Sequence, residues 1–531
     1  MPSKNMRKQS PLFLLILILL FAAFLRLWKI GEYMEFLGDQ GRDMIVAFGI
    51  LHGHLTLLGP RSSAGEFFMG PFYYYIITPF LWLANYNPVG PAIMVALFGV
   101  ATVLLIYIVG RKFFGQVAGL SAAALYAASP LVLAYSHTSW NPNILPFFAL
   151  LTIYLTYITV TNNKPWKYYL FIGILIGLCL QLHYLSLFLA IIIGLYIFLD
   201  FRPVIPAKAE GARGTGIQLH QDIKAKVVSV IKKYLILAIG AILSLSPLIL
   251  FEIRHDFLNT KGIINFIFGD TLSSNVHTNF FQTVAEVFFR IFSRLLVNFP
   301  SPGNPIHTAD PQLMIAWGIF AMCLAASAIF VLFKHKNKSI TLLLGLWLFV
   351  SILLLGLYKK EINDYLFAFI FPLPFLLTGN LISFIFHMPH FKSLSLLLFL
   401  SILAIYYPSL QFHYEPNKQR DQTKGIVQFV IDKSGNKPYN FALLSKGNSD
   451  QAYRYYLEIL DHPPVVLDNL QNDPKRKTDT DQLFIVCEDI TCNPLGNPLQ
   501  DVAAFGRANV TNVWDVSVVK IYRLVHYVEE K

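Results

Sequence analysis

Charge is what this sequence has least of. Lys, Arg, Asp and Glu make up 14% of its 531 residues, where a soluble globular chain carries about 25%. That shortage excludes a chain solvated mainly by water. Cysteine is scarce too: four residues are too few for a disulfide framework. Cys487 and Cys492 stand five apart in CEDITC, and either bond or stay a pair of thiols. No small-residue cleavage site follows the first apolar run at 11–28, so it reads as a retained span and not as a removed signal peptide. There is no internal repeat and none of the inverted symmetry of many transporters.

What the chain does have is apolar sequence in blocks. Hydrophobic residues make up 55% of it, and stretches such as 91–110 and 311–333 carry no charge, which suits spans of about 20 residues. The net charge of +11 does not point to nucleic acid, because the basic residues sit in short loops between apolar blocks. That is the positive-inside pattern.

This bias orders eleven spans. The first, 11–28, exits at Arg26-Leu27-Trp28-Lys29, read as an interfacial anchor. Residues 29–90 form a long outer loop, with the apolar piece 71–84 as a juxtamembrane helix. Spans 91–110 and 115–135 flank an inner Arg111-Lys112, and 143–160 returns to Lys164 and Lys167. The apolar run 168–201 reads as two short spans meeting near His183-Tyr184. The loop 202–233, with seven Lys/Arg against two acids, then lies inside. Spans 234–251, 311–333, 340–357, 365–386 and 393–407 follow. The expected fold is an all-α polytopic domain over 1–409 in the plasma membrane, with its N-terminus cytoplasmic. From 410 the composition becomes that of a soluble protein. Helices are expected over 422–433 and 451–460, and strands over 464–467, 483–487 and 514–524. They form a small extracytoplasmic α/β domain, 410–531.

The first outer loop is the most informative stretch. Glu35, Asp39 and Asp43 fall at i, i+4 and i+8, one face of a helix, with Arg42 three residues after Asp39. A carboxylate directly after a span is partly desolvated, which opens its pKa to tuning toward general-base work.

An acidic residue followed by Arg in the first outer loop, then Gly70-Pro71-Phe72-Tyr73-Tyr74-Tyr75, resembles the GT-C glycosyltransferases. Protein O-mannosyltransferases and bacterial aminoarabinose transferases are the most similar. Their Asp-Glu-x-Arg-Tyr-like motif is matched here by Asp39-Gln40-Gly41-Arg42-Asp43, with Gln40 in place of the Glu. The resemblance implies Asp39 as the catalytic carboxylate and a polyisoprenyl-phosphate-linked sugar as donor. It also implies an active site on the outer face. Phe68 to Tyr75 resembles the family's Pro-Pro-Leu-Tyr-Tyr-Trp stretch, which adds Tyr73 and Tyr74. In the next outer loop Asn141 and Asn143 stand where many relatives carry an Asp, and can only hydrogen-bond.

Two more loops fall on the outer side. One holds Arg254 and His255, the other Lys360 and Tyr365; His183 lies at the break between two spans. A phosphate leaving group needs a cation, which Arg254, Lys360 or Arg42 supplies. The acceptor hydroxyl needs a base, Asp39, and direct attack inverts the anomeric centre. The sequence requires no metal and leaves any cofactor open. The acceptor is a hydroxyl on protein, lipid or glycan, membrane lipids surround the chain, and nucleic acid is not a partner. A multi-pass transporter or lipid flippase and a non-catalytic envelope scaffold are the competing readings. The first would place its ionisable groups within the spans.

Overall fold

The computed structural model describes residues 6–62, 65–199, 216–268, 279–300, 311–358, 360–469, 471–489 and 491–528. Part of the basic 202–233 loop, 202–215, lies outside the described residues. The chain opens with α1 (Met6–Leu27), then α2 (Ile30–Tyr33), α3 (Gly38–Leu51) and α4 (Phe72–Leu83). The helices α5 (Val89–Phe114), α6 (Gln116–Ala128), α7 (Pro130–His137), α8 (Leu145–Thr161), α9 (Trp166–Leu182) and α10 (Leu187–Leu199) follow. Next come α11 (Gly216–Ser244), α12 (Ser246–Arg254), α13 (Leu258–Phe268), α14 (Phe280–Val297) and α15 (Pro311–Lys334). The bundle ends with α16 (Lys338–Gly356), α17 (Pro372–His387) and α18 (Lys392–Tyr406).

Among the described residues six helices are long and apolar enough to cross a membrane, or eight if each of two bent pairs is one span. The chain is a multi-pass membrane protein, but length and apolarity do not reproduce the eleven spans expected. Four further apolar helices, at 11–27, 72–83, 166–182 and 184–199, are shorter than 18 residues. The 12 residues of α4 rise about 18 Å at 1.5 Å each, well short of the roughly 30 Å hydrocarbon core. The 168–201 run does break at His183, where a single 3₁₀ turn, Tyr184–Ser186, separates α9 from α10. Within α9, Gly173 and Gly177 form a Gly-x-x-x-Gly face. A Cβ at Gly173 would lie 2.1 Å from the Leu237 carbonyl oxygen of α11, so small residues set this crossing.

Arg26 is not an interfacial anchor. It is fully buried and donates to the carbonyl oxygens of Ala127 at 2.9 Å and Tyr126 at 3.4 Å. Pro130 is the reason: it lacks the N–H that would pair with Tyr126, and the chain bends 59° between α6 and α7. Arg26 supplies donors to the carbonyls this break leaves open.

The C-terminal part contains α19 (Gln419–Ser434), β1 (Asn440–Leu444), α20 (Gln451–Ile459), β2 (Gln482–Cys487), α21 (Gln500–Phe505), β3 (Ala508–Val516) and β4 (Val519–His526). The sheet order is β1-β2-β4-β3, with β1 and β2 parallel and Phe441 opposite Phe484. A parallel pair needs a crossover, which α20 provides. The run 514–524 is not one strand: Ser517, at φ 54°, turns it into the β3–β4 hairpin. Residues 464–467 form no strand. Cys487 and Cys492 are joined by a disulfide.

This sheet domain is docked on the 29–90 segment. Phe36 packs edge-on against Tyr456, with ring centroids 5.4 Å apart, and Lys418 N–H donates to Glu32 O at 2.9 Å. At the crossing of α3 and α20 the backbones touch, because a Cβ at Gly41 would sit 2.2 Å from Ala452 N. Replacing Gly41 by Ala is therefore expected to force the helices apart and cost about 1–3 kcal/mol, as overpacking does. Gly425→Ala, in α19 with open space around it, is the control and should be neutral or stabilising by under about 1 kcal/mol. Unfolding of both variants in detergent measures the difference, and equal stabilities would contradict the packing.

Candidate active site

The start of α3 builds the centre of the site. Gln40 Oε1 accepts the Leu37 N–H at 3.0 Å, and Asp39 in the first turn faces the positive end of the helix dipole. Glu35 lies before α3 and is exposed, so the expected three-carboxylate face does not form. Asp39 and Asp43, one turn apart, share Arg42 instead. Arg42 Nη1 donates to Asp39 Oδ1 at 2.8 Å, while Nε and Nη2 donate to Asp43 Oδ1 at 3.0 and 2.8 Å.

The two acids live in different media. The Asp39 side chain is 53% exposed and that of Asp43 fully buried. Burial pushes the Asp43 carboxyl up to about 7, against the pull of the Arg42 guanidinium. The same carboxylates hold the Arg42 guanidinium above its ordinary value, although burial opposes them.

Asp39 and Arg42 open onto a cavity of about 520 Å³. The 29–90 segment also gives it Arg61, Ser62, Glu66 and Met69, and the segment after α7 gives Trp140, Asn141 and Pro142. His183 and Tyr184 come from the α9–α10 break, and Lys360 and Tyr365 from the segment before α17. The aromatic wall is continuous: His183 stacks on Tyr184 at 4.6 Å, and Trp140 meets Tyr365 edge-on at 4.6 Å. The Lys360 ammonium lies 5.3 Å from the Phe266 ring centroid.

Six of the residues expected from sequence thus converge: Asp39, Arg42, Asn141, His183, Lys360 and Tyr365. Others support the cavity from behind. Tyr73 hydroxyl pairs with Ser139 Oγ at 2.9 Å, and Tyr74 packs buried near Arg42 and Asp43. Asn143 donates to Thr138 O at 2.8 Å. Arg254 and His255 line no part of this cavity. Arg254 is exposed, and His255 Nδ1 pairs with Phe251 O of its own helix. The working residue of that motif is Glu252, whose carboxylate accepts the Asn259 and Thr260 N–H groups at 3.0 and 2.8 Å. Asn259 then holds the chain at Phe68 by pairing with its backbone.

Sequence reasoning missed Arg61 and Glu66, which form a 3.0 Å ion pair at the cavity. Their signal was available: two opposite charges bracketed by Gly59-Pro60 and Gly70-Pro71. It also missed α14. Val287, Ile291 and Leu295 are buried there at helical spacing, while Arg290 and Arg294 reach Asp364 at 2.7 and 2.8 Å and fix the residue beside Tyr365. Among the described residues no group of three His, Cys, Asp or Glu side chains is placed to hold a metal.

Residues 69–208 match the family model of dolichyl-phosphate-mannose-protein mannosyltransferases. The match begins downstream of Asp39, so the carboxylate pair stands on geometry. ArnT from Cupriavidus metallidurans, solved bound to undecaprenyl phosphate, aligns with 98% of this chain and 98% of its own, at a TM-score of 0.59 and 10% identity. The chain has the GT-C fold. The GT-C oligosaccharyltransferase AglB from Archaeoglobus fulgidus, in complex with an inhibitory peptide and a dolichol-phosphate, is a second match. It covers 90% of this chain and 69% of that one, at a TM-score of 0.51 and 15% identity. No curated protein matches the sequence. On this GT-C fold the cavity is built by the 29–90 and 138–143 segments, the α9–α10 break and the segment before α17, with Arg61 added to the expected residues and Arg254 removed.

Because the folded Asp43 carboxyl titrates near 7 and an unfolded one near 3.9, the folded chain binds more protons between those values. Stability should therefore fall as pH rises through that window. Asp43→Asn is expected to remove up to one proton from this dependence, about 1.4 kcal/mol per pH unit. Denaturation at pH 4.5 to 7.5 measures both slopes, and identical slopes would contradict a buried, raised acid.

Proposed function

We propose that this chain is a membrane glycosyltransferase that moves a sugar from a polyisoprenyl phosphate to an acceptor hydroxyl on the outer face of the membrane. The observation that carries this reading is one cavity holding an exposed carboxylate, Asp39, together with Arg42, Arg61 and Lys360. The leaving group of such a donor is already an anionic phosphate. It needs cations and no strong acid, and charge-assisted hydrogen bonds from this set would provide them. Asp39 takes the proton of the acceptor hydroxyl as it attacks the anomeric carbon from the face opposite the phosphate. One displacement inverts the anomeric configuration. Asp43 keeps Arg42 in place, and Trp140, Tyr184 and Tyr365 offer aromatic faces to the sugar.

The fold match to proteins solved with undecaprenyl phosphate and dolichol-phosphate supports a lipid-linked donor. In this reading 29–90 and 410–531 lie outside the membrane, with the N-terminus and Arg111-Lys112 inside. The acceptor is a protein, lipid or glycan hydroxyl.

Asp39→Asn keeps the shape of the side chain and removes its basicity. Turnover of a polyisoprenyl-phosphate sugar by the purified variant should fall about 10²–10⁴-fold, the usual worth of a general base, with donor binding and thermal unfolding near wild type. Arg61→Ala and Lys360→Ala should each weaken donor use by about ten- to a hundredfold, the cost of one charge-assisted bond. Wild-type turnover in Asp39→Asn would remove the base from this mechanism.

A further inference from the structure

The first turn of α3, which carries Asp39, is held by side chains of the sheet domain. Gly38 N–H donates to Asn448 Oδ1 at 2.8 Å. Asn448 Nδ2 in turn donates to both carboxylate oxygens of Glu488, at 3.0 and 3.1 Å. Tyr453 hydroxyl donates to Glu488 Oε1 at 2.8 Å, and the Glu488 N–H donates to Leu444 O at 3.1 Å. Glu488 follows Cys487, the last residue of β2, and so stands where the parallel strands β1 and β2 both end. Asn448 spans from that point to the residue before Asp39. The fit is close: a Cβ at Gly38 would lie 1.9 Å from Ser449 Oγ.

A helix leaves its first N–H groups without internal partners, and Asn448 takes one of them from 410 residues away in sequence. Asp39 itself is tethered through its side chain to Arg42, which moves with the same helix. The orientation of the first turn relative to the cavity therefore depends on the contact from outside. Reacting groups must be held to within fractions of an ångström, and a displacement of about 1 Å costs on the order of 10²-fold in rate.

We propose that Asn448 and Glu488 are positioning residues: through Gly38 they set the placement of the Asp39 carboxylate, which makes the sheet domain part of the transfer apparatus. This rests on the lipid-linked sugar transferase reading of the cavity.

The experiment uses the full chain in lipid nanodiscs with a polyisoprenyl-phosphate sugar as probe. Asn448→Ala should lower kcat about ten- to a hundredfold, while donor KM stays within about twofold because the cavity cations are untouched. Asn448→Asp sets a carboxylate against Glu488 and should be as slow. The double variant N448D/E488Q rebuilds the relay with donor and acceptor exchanged, since Asp accepts from Gly38 and Gln donates to Asp, and should recover kcat to within about threefold. Hydrogen exchange over 36–45 gives a readout that needs no turnover. It should quicken about tenfold or more in Asn448→Ala and recover in the double variant. An unchanged kcat and unchanged exchange in Asn448→Ala would overturn the proposal. So would a folded double variant that recovers neither. If the wild-type protein turns over no lipid-linked sugar, the functional reading fails, and the exchange pattern alone decides the tether.

Discussion

Arg42 is divided between two carboxylates of unequal exposure, and the site is organised around that division. Asp43 is fully buried, and a buried acid without a cation partner is destabilising by several kcal/mol. It therefore fixes Arg42 against the interior through two of the guanidinium's nitrogens. The third is left pointing at Asp39 on the cavity side. A short helix outside the bundle can hold such a pair only if something packs over it. Tyr74 of α4 does so on one side, and α20 does so at Gly41.

The bundle delivers its polar groups by breaking helices. Between α9 and α10 the chain stops at His183, whose ring lines the cavity. Between α6 and α7 it stops at Ser129-Pro130, and Arg26 satisfies the carbonyls set free. Ahead of α17 a 3₁₀ segment, Asp364–Ile370, turns Tyr365 into the cavity while Arg290 and Arg294 hold its neighbour Asp364. Irregular backbone is tolerated at membrane depth where protein covers it or a cavity opens beside it. Both conditions hold here.

The parts legible in the sequence were those written in local pattern. Apolar blocks without charge gave most of the bundle, and the Asp39–Arg42 spacing located the cavity's centre. What stayed hidden depends on contacts distant in sequence. Arg254 and Lys360 look alike as basic residues at loop ends, yet only Lys360 reaches the cavity, because Glu252 turns the 251–260 segment into a clamp for Phe68. Arg26 read as an anchor because its partners lie about 100 residues away. The α14 helix is not a charge-free run, since Glu286, Arg290 and Arg294 interrupt its sequence while Val287, Ile291 and Leu295 keep one face apolar. The eleven-span count is not reproduced for a related reason: helices of 12 to 17 residues cannot be ranked by length alone.

The central claim is that the cavity at Asp39 and Arg42, and not a path between the spans, receives the lipid-linked sugar. A polyisoprenyl-phosphate sugar carrying a photoreactive group on the sugar tests this most directly, with the adducts mapped by mass spectrometry. The account predicts labelling at the cavity walls, around 60–69, 140–142, 183–184 and 360–365. Labelling confined to the middle of the spans α15, α16 and α18 would contradict it and favour a transport path.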